Sequence, residues 1–145
     1  MAEQIPLKFV FYIAAPAEKV WEGFVSQESN RAIFSTDFEI DLKPGGQIAW
    51  VGTGPDGKRV LYVHGEVIKA EPPKLLQYTF AIGPMGKSSH VTVEFTQETE
   101  ATKVVVTHDQ WAEDDATYAA TADGWPRILS RLKTLIETGK TFKPH

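Results

Sequence analysis

Four histidines are the first residues to weigh for chemistry, because imidazole titrates near neutral pH and ligates metals readily. His64, His90, His108 and His145 share no short metal-ligand spacing, and the chain has no cysteine. No zinc pattern results, and neither a metal nor a cofactor is expected. Ser26, Ser35, Ser88, Ser89 and Ser130 lack the strand-turn-helix setting of a nucleophile elbow, so a hydrolase triad is not supported. Gly45-Gly46 and Gly54-Pro55-Asp56-Gly57 have no following Lys-Ser or Lys-Thr and open no helix, so both read as turns rather than phosphate loops. Asp109, Glu113, Asp114 and Asp115 lack the alternating ligands and central glycine of a calcium loop. They read as a solvated segment whose charge suits a helix N-terminus.

His108 is the titratable residue that strand alternation turns inward, beside the start of the last helix. Two readings of it stand: a polar contact or general base for a guest, or a buried side chain satisfied by its neighbours. The missing second acid favours the latter. The aromatic set Trp50, Tyr78, Phe80, Trp111, Tyr118 and Trp125 also has two readings. These residues fill a core, or they line an apolar pocket in which phenol and indole groups orient a ligand.

The elements that must position these residues follow from periodicity. Leu7 to Ile13 alternates, with Leu7, Phe9, Phe11 and Ile13 on one face. Pro16 and Glu18 open a short helix bearing Val20, Trp21, Phe24 and Val25, and a second short helix is expected over about Glu28 to Phe34. Period two resumes with Phe38, Ile40 and Leu42, then Ile48 and Trp50 after Pro44-Gly45-Gly46. Val60 to Ala70 reads as a long strand with Leu61, Val63, Gly65 and Val67 inside, Gly65 marking a bend or close approach. Pro72-Pro73 breaks the chain. Three more strands place Leu76, Tyr78, Phe80 and Ile82, then Val91, Val93 and Phe95, then Val104, Val106 and His108 inward, with a turn at Gly83-Pro84-Met85-Gly86. Ala116 to Lys140 returns to helical spacing, with Tyr118, Trp125, Ile128, Leu129, Leu132, Leu135 and Ile136 on one side. Pro126 should kink it. Only a whole sheet can cover so long a stripe.

Seven strands joined mainly by tight turns imply an antiparallel meander. The expectation is an α+β fold: a curved antiparallel sheet wrapped around a long C-terminal helix, with two short helices after the first strand. At 145 residues and 42% hydrophobic content, one domain spanning 1–145 is expected. A net charge of -4 with scattered Lys and Arg argues against nucleic acid. No apolar run approaches membrane-spanning length and Met1-Ala2-Glu3-Gln4 begins no signal peptide, so a cytoplasmic protein with no membrane partner is expected, as a monomer or homodimer.

In order and spacing, several segments resemble the START-like (Bet v 1-like, SRPBCC) superfamily, and within it the branch similar to the C-terminal domain of the activator of the Hsp90 ATPase. They are Ile13-Ala14-Ala15-Pro16 with Val20-Trp21, Asp41 through Gly46, and Gly65-Glu66-Val67 before Pro72-Pro73. Leu76 through Phe80, Val91 through Phe95, Thr102 through His108 and Gly124-Trp125-Pro126 with Leu129 and Leu132 complete the set. The branch often has two adjacent tryptophans where this chain reads Ile33-Phe34, so a pocket here should differ in shape. The resemblance implies a helix-grip fold with a cavity between the C-terminal helix and the sheet, and is compatible with carriers, receptors, cyclases and chaperone-linked domains.

The leading expectation is a binding protein for a small hydrophobic or aromatic ligand. Its walls would be Phe11, Phe38, Trp50, Tyr78, Phe80, Val93, Val106, His108, Trp125 and Leu129, around a void of roughly 300 Å³ or more. No catalytic residue is assigned. The alternatives are a stress-related partner of an Hsp90-type chaperone, and a cyclase- or dehydratase-like enzyme using His108 with Tyr78.

Overall fold

The computed structural model describes residues 4–83 and 86–142. His145, Met1-Ala2-Glu3 and the centre of the turn expected at Pro84-Met85 lie outside them. The alternating segments form seven strands: β1 (Leu7–Ile13), β2 (Asp37–Ile40), β3 (Gln47–Thr53), β4 (Arg59–Glu71), β5 (Leu75–Ile82), β6 (Ser89–Gln97) and β7 (Thr102–Asp109). All pair antiparallel in one curved sheet of order β1-β7-β6-β5-β4-β3-β2. The first strand therefore sits beside the last. The two short helices, α1 (Ala17–Val25) and α2 (Gln27–Phe34), carry the chain from one edge of the sheet to the other.

Local chemistry sets where these helices begin and end. Pro16 precedes α1, and its carbonyl accepts from Val20 at 3.1 Å. Ser26 caps α2 by accepting from the Ser29 amide at 3.1 Å, satisfying one of the amides a helix start leaves free. Asn30 ties the helices together, its Nδ2 donating to the carbonyls of Phe24 and Ser26.

The last helix, α3 (Tyr118–Thr138), runs continuously through Pro126 and ends at Gly139, whose φ of 86° suits a residue without a Cβ. Its inward side meets β1, α1 and α2. At Gly23 of α1 a Cβ would stand 2.6 Å from Cδ1 of Ile136, so glycine is what lets the two helices close on each other. Gly65 plays the same part in the sheet, where a Cβ would lie 1.8 Å from the Thr79 carbonyl oxygen. Ile13, Val20, Val67, Val91, Val93, Val104 and Val106 are sealed at the centre of the core, each such side chain contributing about 1.5–3 kcal/mol.

Three expectations need correcting. Leu42, expected to continue the face of Phe38 and Ile40, lies beyond the end of β2 and is exposed. Leu61 is 37% exposed rather than inside. The β3–β4 register slips between Trp50 and Val51, leaving Tyr62 unopposed, and its ring covers Gly52 instead. The acidic segment before α3 is not wholly solvated either. Asp115 is buried, and its Oδ1 accepts from the amide and hydroxyl of Thr117 at 2.9 and 2.6 Å, turning the chain into α3.

Candidate functional site

Under the first half of α3 the packing stops short of the sheet. A half-open cavity of about 210 Å³ is walled by Phe34 of α2, Trp50 of β3, Val63 of β4, and Tyr78, Phe80 and Ile82 of β5. Its roof is Ala120, Thr121, Gly124, Trp125 and Ile128. The roof explains the space: three of those five are small, and at Gly124 a Cβ would meet nothing within 4 Å. A second chamber of about 40 Å³ shares Phe34, Trp50, Tyr78, Trp125 and Ile128 and reaches inward to Leu76 and Leu132. Together they fall short of the roughly 300 Å³ expected from the sequence. On the outer side a surface groove along Ser35, Thr36, Gly52 and Tyr62 shares Phe34, Trp50 and Val63 with the larger cavity.

No lining side chain carries a charge, and most of the polar groups in the walls are already committed. Trp50 Nε1 donates to Asn30 Oδ1 at 2.9 Å. Trp125 Nε1 donates to His108 Nδ1 at 3.0 Å, and Thr121 Oγ1 donates to the Thr117 carbonyl at 2.8 Å. Tyr78 is 5% exposed, and its hydroxyl has no hydrogen-bond partner among the described residues. Burial pushes its phenol pKa up, so the group stays protonated and can donate.

His108 lies behind this wall, 0% exposed. An indole N–H can only donate, so Trp125 fixes Nδ1 as an acceptor and puts the imidazole proton on Nε2. That nitrogen is 2.6 Å from Ser89 Oγ, whose hydroxyl in turn donates to the Phe80 carbonyl at 3.2 Å. Trp111 stacks on the ring with centroids 4.1 Å apart and donates its own indole N–H to the His108 carbonyl at 3.0 Å. Burial drives the imidazole pKa down to about 3, with Asp115 opposing the fall and His90 adding to it. Both ring nitrogens are spent in a chain from α3 to β5, which leaves neither free to take a proton from a guest.

The sequence model of a family described as "Activator of Hsp90 ATPase homolog 1-like protein" matches residues 14–137. The chain belongs to that family. No curated protein matches it. Among solved structures it is similar to an uncharacterized protein from Rhizobium leguminosarum, at 23% identity and TM-score 0.70, covering 92% of this chain and 94% of that one. The Aha1 dimer from Colwellia psychrerythraea, solved in solution, matches at 20% identity and TM-score 0.74 over 94% and 99%. An HSP90 activator from Plasmodium falciparum matches at 19% and 0.73 over 90% and 95%. At these identities the likeness is one of fold.

In this member of the Hsp90-activator-like family, four of the ten expected wall residues border the larger cavity: Trp50, Tyr78, Phe80 and Trp125. Phe38 is one layer back, packed on Trp50 with ring centroids 5.0 Å apart. Val93 and Val106 are sealed in the core below, and His108 is held behind Trp125. Phe11 and Leu129 border a different, shallow groove with Phe9 and Pro126, on the β1 side of α3. Trp111 and Tyr118 also leave the pocket: their rings pack edge to face at 5.1 Å, and Tyr118 Oη donates to the Ile5 carbonyl at 2.6 Å. Phe34, Val63, Ile82, Ala120, Thr121, Gly124 and Ile128 were missed. The signal for the roof was present in Ala120, Thr121 and Gly124, small residues at helical spacing that a search for large apolar walls passes over. Among the described residues no cluster of His, Asp or Glu could hold a metal ion, and no helix is long and apolar enough to cross a membrane.

Proposed function

We propose that this chain binds a small hydrophobic molecule in the cavity between α3 and the sheet. The supporting observation is the space itself: about 210 Å³ faced by aromatic and aliphatic side chains with no charge among them. Protein interiors normally pack to the density of organic crystals, and apolar walls left apart forgo the contacts of such packing. A ligand of matching shape recovers those contacts. The cavity is half-open, which provides a route in.

The test pairs binding with a plug. Naphthalene is titrated into labelled protein and followed by amide NMR, with shifts expected at Tyr78, Trp125 and Gly124. In Gly124→Leu the added side chain enters the cavity, and the shifts should vanish while the fold is kept. Binding that survives the plug would place the ligand elsewhere and defeat the proposal.

A second reading, a partner of an Hsp90-type chaperone, is supported by the family's description and the resemblance to an HSP90 activator. A pull-down and ATPase assay with an Hsp90 homologue tests it, and no association at micromolar concentration would count against it.

A further inference from the structure

The inventory of polar groups around the cavity restricts what can occupy it. Four side-chain groups of its walls could hydrogen-bond to a guest: the indoles of Trp50 and Trp125, the hydroxyl of Thr121 and the phenol of Tyr78. The first three have given their protons to Asn30, His108 and Thr117, at 2.9, 3.0 and 2.8 Å. Those partners are held in place, Asn30 by two backbone carbonyls and His108 by Ser89, so freeing an indole would leave a buried acceptor unpaired. The Tyr78 oxygen differs. It has no hydrogen-bond partner among the described residues. The residue is 95% covered and borders both chambers, which puts the phenol in the cavity wall.

Size and charge narrow the guest further. An apolar cavity of about 150 Å³ accepts benzene, so about 210 Å³ has room for a fused pair of rings. A carboxylate or ammonium would enter without a counter-charge, because no lining residue supplies one, and burying an unpaired charge is strongly unfavourable.

We propose that the cavity selects an uncharged molecule of one or two fused rings that carries a hydrogen-bond acceptor, held by a bond from the Tyr78 phenol. This rests on the cavity being a binding site, and it names the class of ligand that site takes. A purely apolar guest of the same shape fills the space but strands the phenol, whereas a guest with an acceptor relieves it.

Quinoline and naphthalene have nearly the same shape and differ by one ring nitrogen; 2-naphthoate adds a charge. Dissociation constants for the three are measured by calorimetry on the wild type and on Tyr78→Phe, which removes only the unpartnered hydroxyl. The ratio of naphthalene to quinoline dissociation constants should fall about tenfold on going to the variant, a double difference that cancels the cost of desolvating the ring nitrogen. 2-Naphthoate should bind the wild type at least tenfold more weakly than naphthalene. In the wild type alone, the ¹³Cζ resonance of Tyr78 should shift with quinoline and not with naphthalene, which keeps the test open if the variant folds poorly. A ratio unchanged by Tyr78→Phe, or a Tyr78 resonance indifferent to quinoline, overturns the role of the phenol while leaving the cavity as a binding site. Failure of all three probes to bind the wild type overturns the binding reading itself.

Discussion

The two halves of α3 do opposite things with the same periodicity. From Leu129 onward the inward residues are large: Leu129, Leu132 and Ile136 are buried against the sheet and α1. There Gly23 gives up its side chain so that Ile136 can come within 2.6 Å of where a Cβ would be. Arg131 reinforces this half, donating Nε to the Phe142 carbonyl at 2.7 Å and Nη2 to the Ala32 carbonyl at 3.0 Å. Before Trp125 the residues that border the cavity are Thr121, Gly124 and, exposed at its rim, Ala120, and the missing side chain at Gly124 opens onto space rather than onto a neighbour. One glycine serves contact and the other serves vacancy. A helix can therefore be a clamp at one end and a roof at the other without any break in its amphipathic pattern.

The largest expected contrast comes from truncating one side chain in each half. Leu132→Ala removes a nearly sealed side chain and should cost about 2–5 kcal/mol. Ile128→Ala, whose side chain already borders the cavity, should cost less than half as much. Urea unfolding of the two variants measures both, and equal losses would mean that the halves are packed alike.

The second contrast is between the satisfied His108 and Tyr78, whose hydroxyl has no partner among the described residues. Burial holds the imidazole near 3 against an ordinary value of 6.5, so the unfolded chain takes up the proton first as pH falls. Stability is then full above pH 6.5 and is lost from 6.5 toward 3, at up to about 1.4 kcal/mol per pH unit. His108→Gln should flatten that part of the profile when unfolding free energy is followed from pH 7 to pH 4. A slope identical to that of the wild type would remove His108 as its source.

The smallest effects carry opposite signs. Gly124→Ala adds a methyl group that touches nothing and should raise stability by about 0.5–1 kcal/mol, through the better helix propensity of alanine. Gly23→Ala forces Ile136 and Leu132 aside and should lower stability by about 1 kcal/mol in spite of the same gain in propensity. Thermal unfolding of the pair reads both signs, and two stabilised variants would mean that α1 and α3 are not in close contact at Gly23.

How far the sequence carried the reading follows from the same physics. Alternation and helical spacing specify which face of an element is buried, so the seven strands, the inward set from Leu76 through Val106 and the stripe on α3 were all legible. Trp50, Tyr78, Phe80 and Trp125 were legible as walls because large aromatic residues on inward faces must lie between helix and sheet. The roof was harder, since empty space has no residue type of its own and shows only as small side chains where large ones would fit. The exposure of Leu61 depended on a register slip at Trp50 and Val51, which periodicity does not encode. The partners of Trp50, Trp125 and His108 lie 20, 17 and 19 residues away along the chain. Only the fold brings them together, and with them the distinction between polar groups that are spent and the one that is not.

Xenon settles most directly whether the first half of α3 roofs a hollow, because it enters dry apolar cavities without needing a specific ligand. Crystals of the wild type and of Gly124→Leu would be pressurised and compared. The expected result is xenon density between Trp50, Tyr78 and Gly124 in the wild type and none there in the variant. A wild-type map with side chains closed over that position, and no xenon in it, would contradict the account.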